Sequence, residues 1–208
     1  MKISLIDYGA GNIRSVYKSF CAVAAANDTI AVTSDAREVE TSDYIVLPGV
    51  GAFGDCMDGL GRCPNMVDVL DKVVQKGGRP FMGICVGMQL LAEKGYEYGV
   101  HDGLGYIKGN VRLIDTAGVK IPHMGWNTLR VNRRHPVIVG TDGADVYFVH
   151  SYCLCDYDND VLIADVEYGG DRIAAAVAKD NIIGLQFHPE KSQKVGLRII
   201  ADFLRWRP

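Results

Sequence analysis

The stretch from Arg79 to Glu93, RPFMGICVGMQLLAE, constrains the fold more than any other part of the chain. Its first half is apolar and predicts the end of a buried strand, and its second half predicts a helix that begins at Val86. Cys85 lies between them with Gly83 and Gly87 two positions to either side, the spacing of a nucleophile on a tight strand-to-helix turn. A thiol at a helix start faces free N–H groups that favour the thiolate, so Cys85 is the candidate nucleophile. The alternative is that Cys85 is only a small buried apolar residue.

Among the five histidines, His188 is the candidate base for this thiol. It follows the apolar run Ile182–Phe187, and Glu190 comes two residues later, which in extended backbone points to the same side. Pro189 disfavours helical backbone at His188. This spacing predicts a nucleophile–base–orienter triad of Cys85, His188 and Glu190. The alternative is a structural histidine followed by a carboxylate that faces solvent.

Length and composition are those of an ordinary globular chain. We predict one domain, residues 1–208, because 208 residues with 48% apolar and 23% charged side chains can build one large core. A net charge of −3 argues against a nucleic-acid-binding surface, and no apolar run reaches the ~18 residues of a membrane span. The first apolar run breaks at Asp7, so it predicts a strand rather than an export signal. The six cysteines are therefore expected to be reduced thiols of a cytoplasmic protein.

Strands and helices alternate through the first half of the chain. Hydrophobic periodicity predicts strands at 2–7, 29–33, 43–47 and 79–84, helices at 12–26, 66–75 and 86–94, and a helix N-cap at Ser34. Strands that are apolar along most of their length indicate a parallel sheet covered on both faces.

The middle of the chain has shorter strands, several of which alternate apolar and polar residues and so indicate antiparallel pairing beside the parallel sheet. They are predicted at 111–114, 128–131, 145–149, 161–166 and 173–178, before a core strand at 182–187 and a closing helix at 195–205. We therefore predict an α/β fold with an open, mostly parallel sheet flanked by helices and additional antiparallel strands. The site is expected at the carboxyl ends of the parallel strands, where Cys85 and His188 fall.

A glycine-rich loop follows the third predicted strand. Residues Gly49–Gly54 match G-x-G-x-x-G, but Asp68 and Asp71 lie in a predicted helix rather than at a strand end, which argues against a dinucleotide site. We favour a loop whose backbone N–H groups face Cys85, because acyl transfer from an amide needs two donors on the oxyanion. The N–H of Val86, the residue after the nucleophile, is one such donor.

Cys153 and Cys155 are one residue apart, and no second Cys/His pair matches them at a zinc-site spacing. We interpret them as two residues on one face of a strand. No metal site and no role for this pair follow from the sequence.

Several motifs together resemble the class I, triad-type glutamine amidotransferases. GICVGMQ around Cys85 and HPEKS from His188 carry the resemblance to the class. Four further motifs resemble the glutaminase subunits of imidazole glycerol phosphate synthases: DYGAGN at 7–12, LPGVGAFGD at 47–55, IPHMGWN at 121–127 and YFVHSY at 147–152. The resemblance extends from residue 1 to about residue 207. Val86 stands where leucine is frequent in this family, but only the backbone N–H of this residue is needed.

The resemblance implies that the triad hydrolyses L-glutamine to glutamate and ammonia through a thioester, without a metal or cofactor. It implies that the Val50-Gly51 backbone supplies the second oxyanion donor beside Val86. It also implies substrate-binding residues, which are Gly51, Gln89, Ser151 and Tyr152. Gln89 is favoured as well by its position one helical turn beyond Cys85.

The resemblance further implies a partner, a separate (βα)₈-barrel cyclase subunit that forms a heterodimer with this chain. The cyclase would use the ammonia to make imidazole glycerol phosphate and an aminoimidazole carboxamide ribotide in histidine biosynthesis. The residues implied at the interface are Asn12, Trp126, Tyr147 and Lys191. Two other classes of function stay open: a cysteine hydrolase or protease of similar fold acting alone, and a nucleotide-binding module built on Gly49–Gly54.

Overall fold

The computed structural model describes residues 1–9, 12–115 and 118–208, so Ala10 and Gly11 of the DYGAGN motif lie outside the described residues. Its strands are β1 Lys2–Ile6, β2 Thr29–Thr33, β3 Tyr44–Gly49, β4 Phe81–Cys85, β5 Lys94–Gly95, β6 His101–Asp102, β7 Asn110–Leu113, β8 His123–Thr128, β9 Arg130–Val131, β10 Asp145–His150, β11 Tyr152–Cys155, β12 Leu162–Tyr168, β13 Asp171–Lys179 and β14 Ile182–Leu185. Its helices are α1 Ile13–Val23, α2 Ala36–Glu40, α3 Phe53–Arg62, α4 Met66–Leu70, α5 Val86–Gln89 and α6 Gln193–Arg205, with a π-helical turn at Asp71–Gln75 and a 3₁₀ turn at Pro189–Lys191.

An eight-stranded sheet organises the fold, in the order β2-β1-β3-β4-β14-β13-β12-β9. The strands from β2 to β14 pair in parallel, and those from β14 to β9 pair antiparallel. Every residue of β3 and β4 is buried, as expected for strands covered on both faces. The predicted α/β class, a mostly parallel sheet with added antiparallel strands, is therefore confirmed.

The register of the central strands positions the site. Gly49, the last residue of β3, pairs with Cys85 at the end of β4. On the other side of β4, Leu185 of β14 pairs with Ile84, so the chain that continues to His188 leaves the sheet beside Cys85. The glycine loop, the thiol and the imidazole thus come from adjacent carboxyl ends of parallel strands, the usual location of ligand sites in such sheets.

The middle of the chain divides between this sheet and two smaller ones. β9, β12 and β13 extend the main sheet at one edge, β10 and β8 form an antiparallel ribbon, and β11, β7, β5 and β6 form a four-stranded sheet. The expected antiparallel pairing is therefore confirmed for β12 and β13, but these strands extend the main sheet rather than pack beside it. Within the four-stranded sheet, β5 and β7 pair in parallel.

Several helices differ from the prediction. α3 was not predicted at all, and the helix predicted at 66–75 changes from α4 to a π-helical turn at Asp71. Asp35 rather than Ser34 caps α2, because its carboxylate accepts the N–H of Arg37. Among the described residues, no helix is both long enough and apolar enough to span a membrane.

Candidate active site

Cys85 occupies the turn between β4 and α5, and its backbone is strained. Its φ of 54° and ψ of −111° are sparsely populated by residues that carry a Cβ. Two glycines make room for this turn, because a Cβ on Gly83 would lie 2.4 Å from the carbonyl oxygen of Gly87. One on Gly87 would lie 1.8 Å from the carbonyl oxygen of Leu47. The predicted close approach of strand and helix is confirmed.

The helix after Cys85 is shorter than predicted. α5 ends at Gln89 rather than at Lys94. The reason is tertiary, since the N–H of Glu93 donates to the carbonyl of Gly109 and Lys94 begins β5. One helical turn still presents free N–H groups to Cys85, but its macrodipole is smaller than that of the longer helix predicted.

His188 and Glu190 form a buried hydrogen-bonded pair. Nδ1 of His188 lies 2.8 Å from Oε1 of Glu190, and both side chains are almost fully buried. His188 is extended as expected, but Glu190 lies in the 3₁₀ turn that begins at Pro189. Helical curvature, rather than strand alternation, therefore brings the carboxylate to the ring. Asn12 donates from Nδ2 to the same Oε1 at 2.6 Å and holds the carboxylate in place.

His188 is protonated at neutral pH. Burial by itself lowers its pKa, but the interactions with Cys85 and with the Glu190 carboxylate outweigh burial and raise the pKa of His188 to about 9. Nε2 of His188 has no hydrogen-bond partner within the normal distance range among the described residues. The imidazolium therefore has one N–H free to donate.

Polar atoms also surround the sulfur of Cys85. Nε2 of Gln186 and the carbonyl oxygen of Val149 each lie 3.9 Å from it. Oε1 of Gln186 in turn accepts a hydrogen bond from Gln89 at 3.1 Å. Sequence reasoning missed Gln186, although a lone amide within the apolar run 182–187 is a signal that could have found it.

A cavity of about 320 Å³ opens at this edge of the sheet. It brings together the thiol, the imidazole and all of the predicted oxyanion and substrate residues. Its lining consists of Val50, Gly51, Cys85, Val86, Gln89, Glu97, Pro122, Val149, His150, Ser151, Tyr152 and His188. Glu190 lies behind His188 and does not line it, and Glu97, Pro122, Val149 and His150 were not predicted.

The glycine loop reaches the cavity in a conformation that only glycine adopts freely. Gly51 has a φ of +105°, and no heavy atom lies within 4 Å of the position that a Cβ would take there. The carbonyl oxygen of Val50 accepts the thiol hydrogen of Cys56 at 3.5 Å, so it faces α3. Because a trans peptide points its C=O and N–H in opposite directions, the N–H of Gly51 faces away from Cys56.

A chain of hydrogen bonds supports the cavity from behind. The carbonyl oxygen of Tyr152 accepts from Nε2 of Gln89 at 2.8 Å and from Nδ1 of His150 at 2.9 Å. Nε2 of His150 lies 2.9 Å from Nδ1 of His123, whose Nε2 lies 3.2 Å from the Asn127 amide nitrogen. Burial lowers the pKa of both histidines to about 4, so both rings are neutral.

One arrangement of protons satisfies this chain. His150 must donate from Nδ1 to the carbonyl, so its Nε2 accepts; His123 must then donate from Nδ1, and its Nε2 accepts from Asn127. Each hydrogen bond therefore donates in the same direction, from Asn127 of β8 towards the Tyr152 carbonyl at the cavity wall. No pattern within the sequence brings these residues together, because β8, β10 and β11 meet only in the fold.

Three of the four predicted interface residues form a surface cluster. The rings of Trp126 and Tyr147 pack edge to face with centroids 5.9 Å apart, and Nζ of Lys191 lies 5.6 Å from the Tyr147 centroid. Trp126 is 49% exposed. Asn12 is not part of this cluster, since its side chain is bonded to Glu190.

The rival cofactor sites gain no support. A Cβ on Gly49 would meet the N atom of Gly87 and the Tyr8 hydroxyl at 2.7 Å, so this end of the glycine loop packs on the turn at Cys85. Asp68 and Asp71 lie in helical segments and not at a strand end, where a dinucleotide site has its acidic residue. Within the ranges 1–9, 12–115 and 118–208, no group of three or more His, Cys, Asp or Glu residues is placed to hold a metal ion.

Comparison with known proteins decides the family. A sequence model described as "Glutamine amidotransferase class-I" matches residues 4–206. The chain is 50% identical to imidazole glycerol phosphate synthase subunit HisH of Rhodospirillum rubrum, over all of both chains. It is 49% identical to the subunit of that name from Zymomonas mobilis, over 99% of this chain and 96% of the relative. The chain belongs to the class I glutamine amidotransferases, among the HisH subunits.

Solved structures of this class share the fold at much lower sequence identity. A structure described as a glutamine amidotransferase superposes with a TM-score of 0.74 at 18% identity, covering 98% of this chain and 97% of its own. A putative GMP synthase component from Thermoplasma acidophilum gives 0.70 at 20% identity, covering 99% and 92%. The predicted resemblance of fold and family is confirmed.

Proposed function

We propose that this amidotransferase is a glutaminase subunit that hydrolyses L-glutamine and delivers ammonia to a separate cyclase subunit. One observation supports this most: Cys85 and His188 line one cavity, and a buried carboxylate is bonded to the far side of the imidazole. The relatives named HisH, a subunit of imidazole glycerol phosphate synthase, support the substrate and the pathway.

The proposed reaction runs through a thioester. The Cys85 thiolate attacks the amide carbon of glutamine, and the His188 imidazolium protonates the nitrogen that leaves as ammonia. The neutral imidazole then takes a proton from water, and the resulting hydroxide attacks the thioester to release glutamate and restore the thiolate. Glu190 orients the ring through its Nδ1 and stabilises its positive charge, with Asn12 holding the carboxylate.

Both tetrahedral intermediates need donors for their oxyanion. We assign this role to the N–H of Val86, at the free start of α5, and to the backbone of Val50 and Gly51. The Val50 carbonyl, which faces Cys56 of α3, supports the second donor, because it turns the Gly51 N–H away from α3.

Glutamine is proposed to bind along Gly51, Gln89, Ser151 and Tyr152, which line the cavity. The Gln89 amide nitrogen is already bonded to Tyr152 and Gln186, so Gln89 acts on the substrate with its oxygen or through the Tyr152 backbone.

Disrupting the histidine chain is expected to weaken glutamine binding more than catalysis. In His150→Ala the Tyr152 carbonyl loses a donor and His123 loses its acceptor. Leaving a buried polar group unpaired in this way costs about 1–3 kcal/mol of free energy. We expect KM for glutamine to rise about tenfold, with kcat within about threefold of wild type. His135→Ala is the matched control, because His135 packs on Trp206 and does not line the cavity. An unchanged KM in His150→Ala, or an equal rise of KM in the control, would contradict a role for these linked hydrogen bonds in glutamine binding.

The surface cluster of Trp126, Tyr147 and Lys191 is proposed to contact a (βα)₈-barrel cyclase, which would use the ammonia to make imidazole glycerol phosphate and an aminoimidazole carboxamide ribotide. A partly exposed Trp–Tyr pair is a usual hot-spot composition, and Lys191 lies beside it. Lys191 adjoins Glu190 in one 3₁₀ turn, so contacts at the cluster can bias the triad. We also propose that residues 1–208 act as one cytoplasmic domain without a metal or cofactor.

The dependence on the partner gives a test of the whole proposal. Glutamine turnover should be low in the isolated chain and rise through kcat when the cyclase and its ribotide ligand are added, because one peptide rotation in the 49–51 loop would remove an oxyanion donor and the partner is proposed to favour the competent orientation. Losing one such donor costs about 10²–10³ in rate. Full activity of the isolated chain, or activation seen only as a lower KM, would contradict this loop mechanism.

Substitution of Gly51 tests the loop directly. Gly51→Val forces a β-branched residue out of the φ of +105°, so the activated kcat should fall about 10²-fold or more while KM changes little. Gly143→Val is the matched control, since Gly143 has a φ of +74° and open space around it in a remote turn. Equal loss of kcat in both variants would show a general effect of backbone strain instead.

A further inference from the structure

The two cysteines of β11 that the proposed reaction does not use lie close together. Cys153 and Cys155 are on the same face, as predicted, and their Sγ atoms are 3.7 Å apart. Both are free thiols; Cys153 is buried and Cys155 is half-buried. The bonded distance in a disulfide is about 2.05 Å, so joining these two sulfurs requires a local rearrangement of β11.

The surroundings give the two thiols different reactivities. The sulfur–sulfur contact with Cys153 and the positive charge of Arg112 lower the pKa of Cys155, against burial and the nearby Asp156. The same contact and burial raise the pKa of Cys153. Arg112 lies opposite Cys153 on β7, and its guanidinium is paired with Asp156 at 2.8 Å. Cys155 is thus the partly exposed nucleophile, and Cys153 is the thiol held against it.

We propose that Cys153 and Cys155 form a reversible oxidation site, at which a hydroperoxide converts the two thiols into a disulfide. The Cys155 thiolate attacks one peroxide oxygen, the O–O bond breaks, and the leaving oxygen takes up a proton as an alcohol or water. Cys153 then attacks the sulfur of the resulting sulfenic acid; the S–O bond breaks, and the hydroxide leaves with the Cys153 proton as water. Two electrons pass from the two thiols to the peroxide, and a thiol reductant reverses the change.

This site adjoins the cavity through the backbone. β11 begins at Tyr152, whose carbonyl accepts the hydrogen bonds from Gln89 and His150. Drawing Cys153 towards Cys155 moves the chain next to that carbonyl, so oxidation weakens glutamine binding. This consequence rests on the proposed function, whereas formation of the disulfide does not.

The sequence allows the disulfide to be assigned by mass. Trypsin cleavage after Arg134 and Arg172 releases residues 135–172, which contain these two cysteines alone. Each of the other four cysteines falls on a separate tryptic peptide. After treatment with hydrogen peroxide and then iodoacetamide, we expect this peptide to be unalkylated and lighter by two hydrogen atoms, and to regain both thiols after dithiothreitol. Alkylation of both cysteines under conditions that oxidise the exposed Cys21 would overturn the proposal.

Two variants test the order of the steps. In Cys153→Ser, oxidation should stop at a sulfenic acid on Cys155 that dimedone traps; in Cys155→Ser, Cys153 should stay alkylatable. A dimedone adduct on Cys153 in the second variant would overturn the assignment of the nucleophile.

The consequence for glutamine has its own measurement. Peroxide should raise KM about five- to tenfold in the wild type, reversibly by dithiothreitol, and this reversible part should be absent in Cys155→Ser. A disulfide that leaves KM unchanged would contradict the link to the cavity. A wild-type protein without glutaminase activity would refute the proposed function instead, since the mass measurement does not depend on turnover.

Discussion

Replacing Cys85 with alanine is expected to abolish glutamine hydrolysis while the protein stays folded. Without the sulfur no thioester can form, so turnover should fall by roughly 10⁴- to 10⁶-fold, the range seen when a catalytic nucleophile is removed. The fold should survive because, among the described residues, the hydrogen bonds of the sulfur, with Gln186 and Val149, are long, at 3.9 Å. The measurement is glutaminase turnover with the cyclase present, alongside urea unfolding and partner binding.

Cys21→Ala is the matched control for this substitution. Cys21 is exposed on α1 and does not line the cavity, so its removal should leave turnover unchanged. Turnover retained in Cys85→Ala, or lost equally in Cys21→Ala, would contradict the assignment of the nucleophile.

Gly87→Ala is expected to have the largest effect on stability. A Cβ at this position would lie 1.8 Å from the carbonyl oxygen of Leu47, a backbone atom of a fully buried strand that cannot move aside cheaply. Overpacking of this kind costs about 1–3 kcal/mol or more, and here the clash is with backbone. We expect several kcal/mol of lost unfolding free energy or failure to fold, measured by urea or thermal unfolding.

The same glycine-to-alanine substitution at Gly61 is expected to have the opposite effect on stability. Gly61 lies exposed within α3, with no heavy atom within 4 Å of a new Cβ. Alanine there should stabilise the protein by about 0.5–1 kcal/mol, because glycine is the poorer helix former. Wild-type stability in Gly87→Ala would contradict the close packing of β3 against the turn at Cys85.

The sequence was sufficient to predict the parts of the site that depend on local pattern. The strand, the two glycines and the start of a helix at Val86 are local, and so is the spacing of His188 and Glu190, although the helix is shorter than predicted and a 3₁₀ turn rather than extended backbone brings Glu190 to the ring. The parallel strands could be recognised because each is an apolar run with its own turn signals. These features led to the fold class and the family, both of which are confirmed.

The parts that were missed depend on contacts between distant segments. α3 was overlooked because its sequence, FGDCMDGLGR, contains three glycines that lower helix propensity. Two of them serve packing: a Cβ on Gly54 would meet the His101 ring, and one on Gly59 would meet Tyr8. The predicted length of α5 was wrong for the same kind of reason, since Lys94 belongs to β5 of a second sheet.

Within the site, Gln186 and the histidine chain could not be placed from the sequence. Gln186 follows β14, whereas His150 and His123 lie on β10 and β8, so their hydrogen bonds exist only once these strands and α5 are assembled. A lone polar residue in an apolar strand shows that a buried partner is needed, but not which one.

The most direct test of the central claim is to locate the reacting thiol in the wild-type protein. An alkylating glutamine analogue should modify the tryptic peptide 77–94, whose cysteine is Cys85 alone, and leave the other five thiols unmodified. Excess glutamine should protect Cys85, and His188→Gln should slow the labelling strongly because the imidazolium no longer stabilises the thiolate. Labelling of Cys56, Cys153 or any other thiol instead of Cys85, or labelling that glutamine does not prevent, would contradict the claim that Cys85 is the nucleophile of a glutaminase.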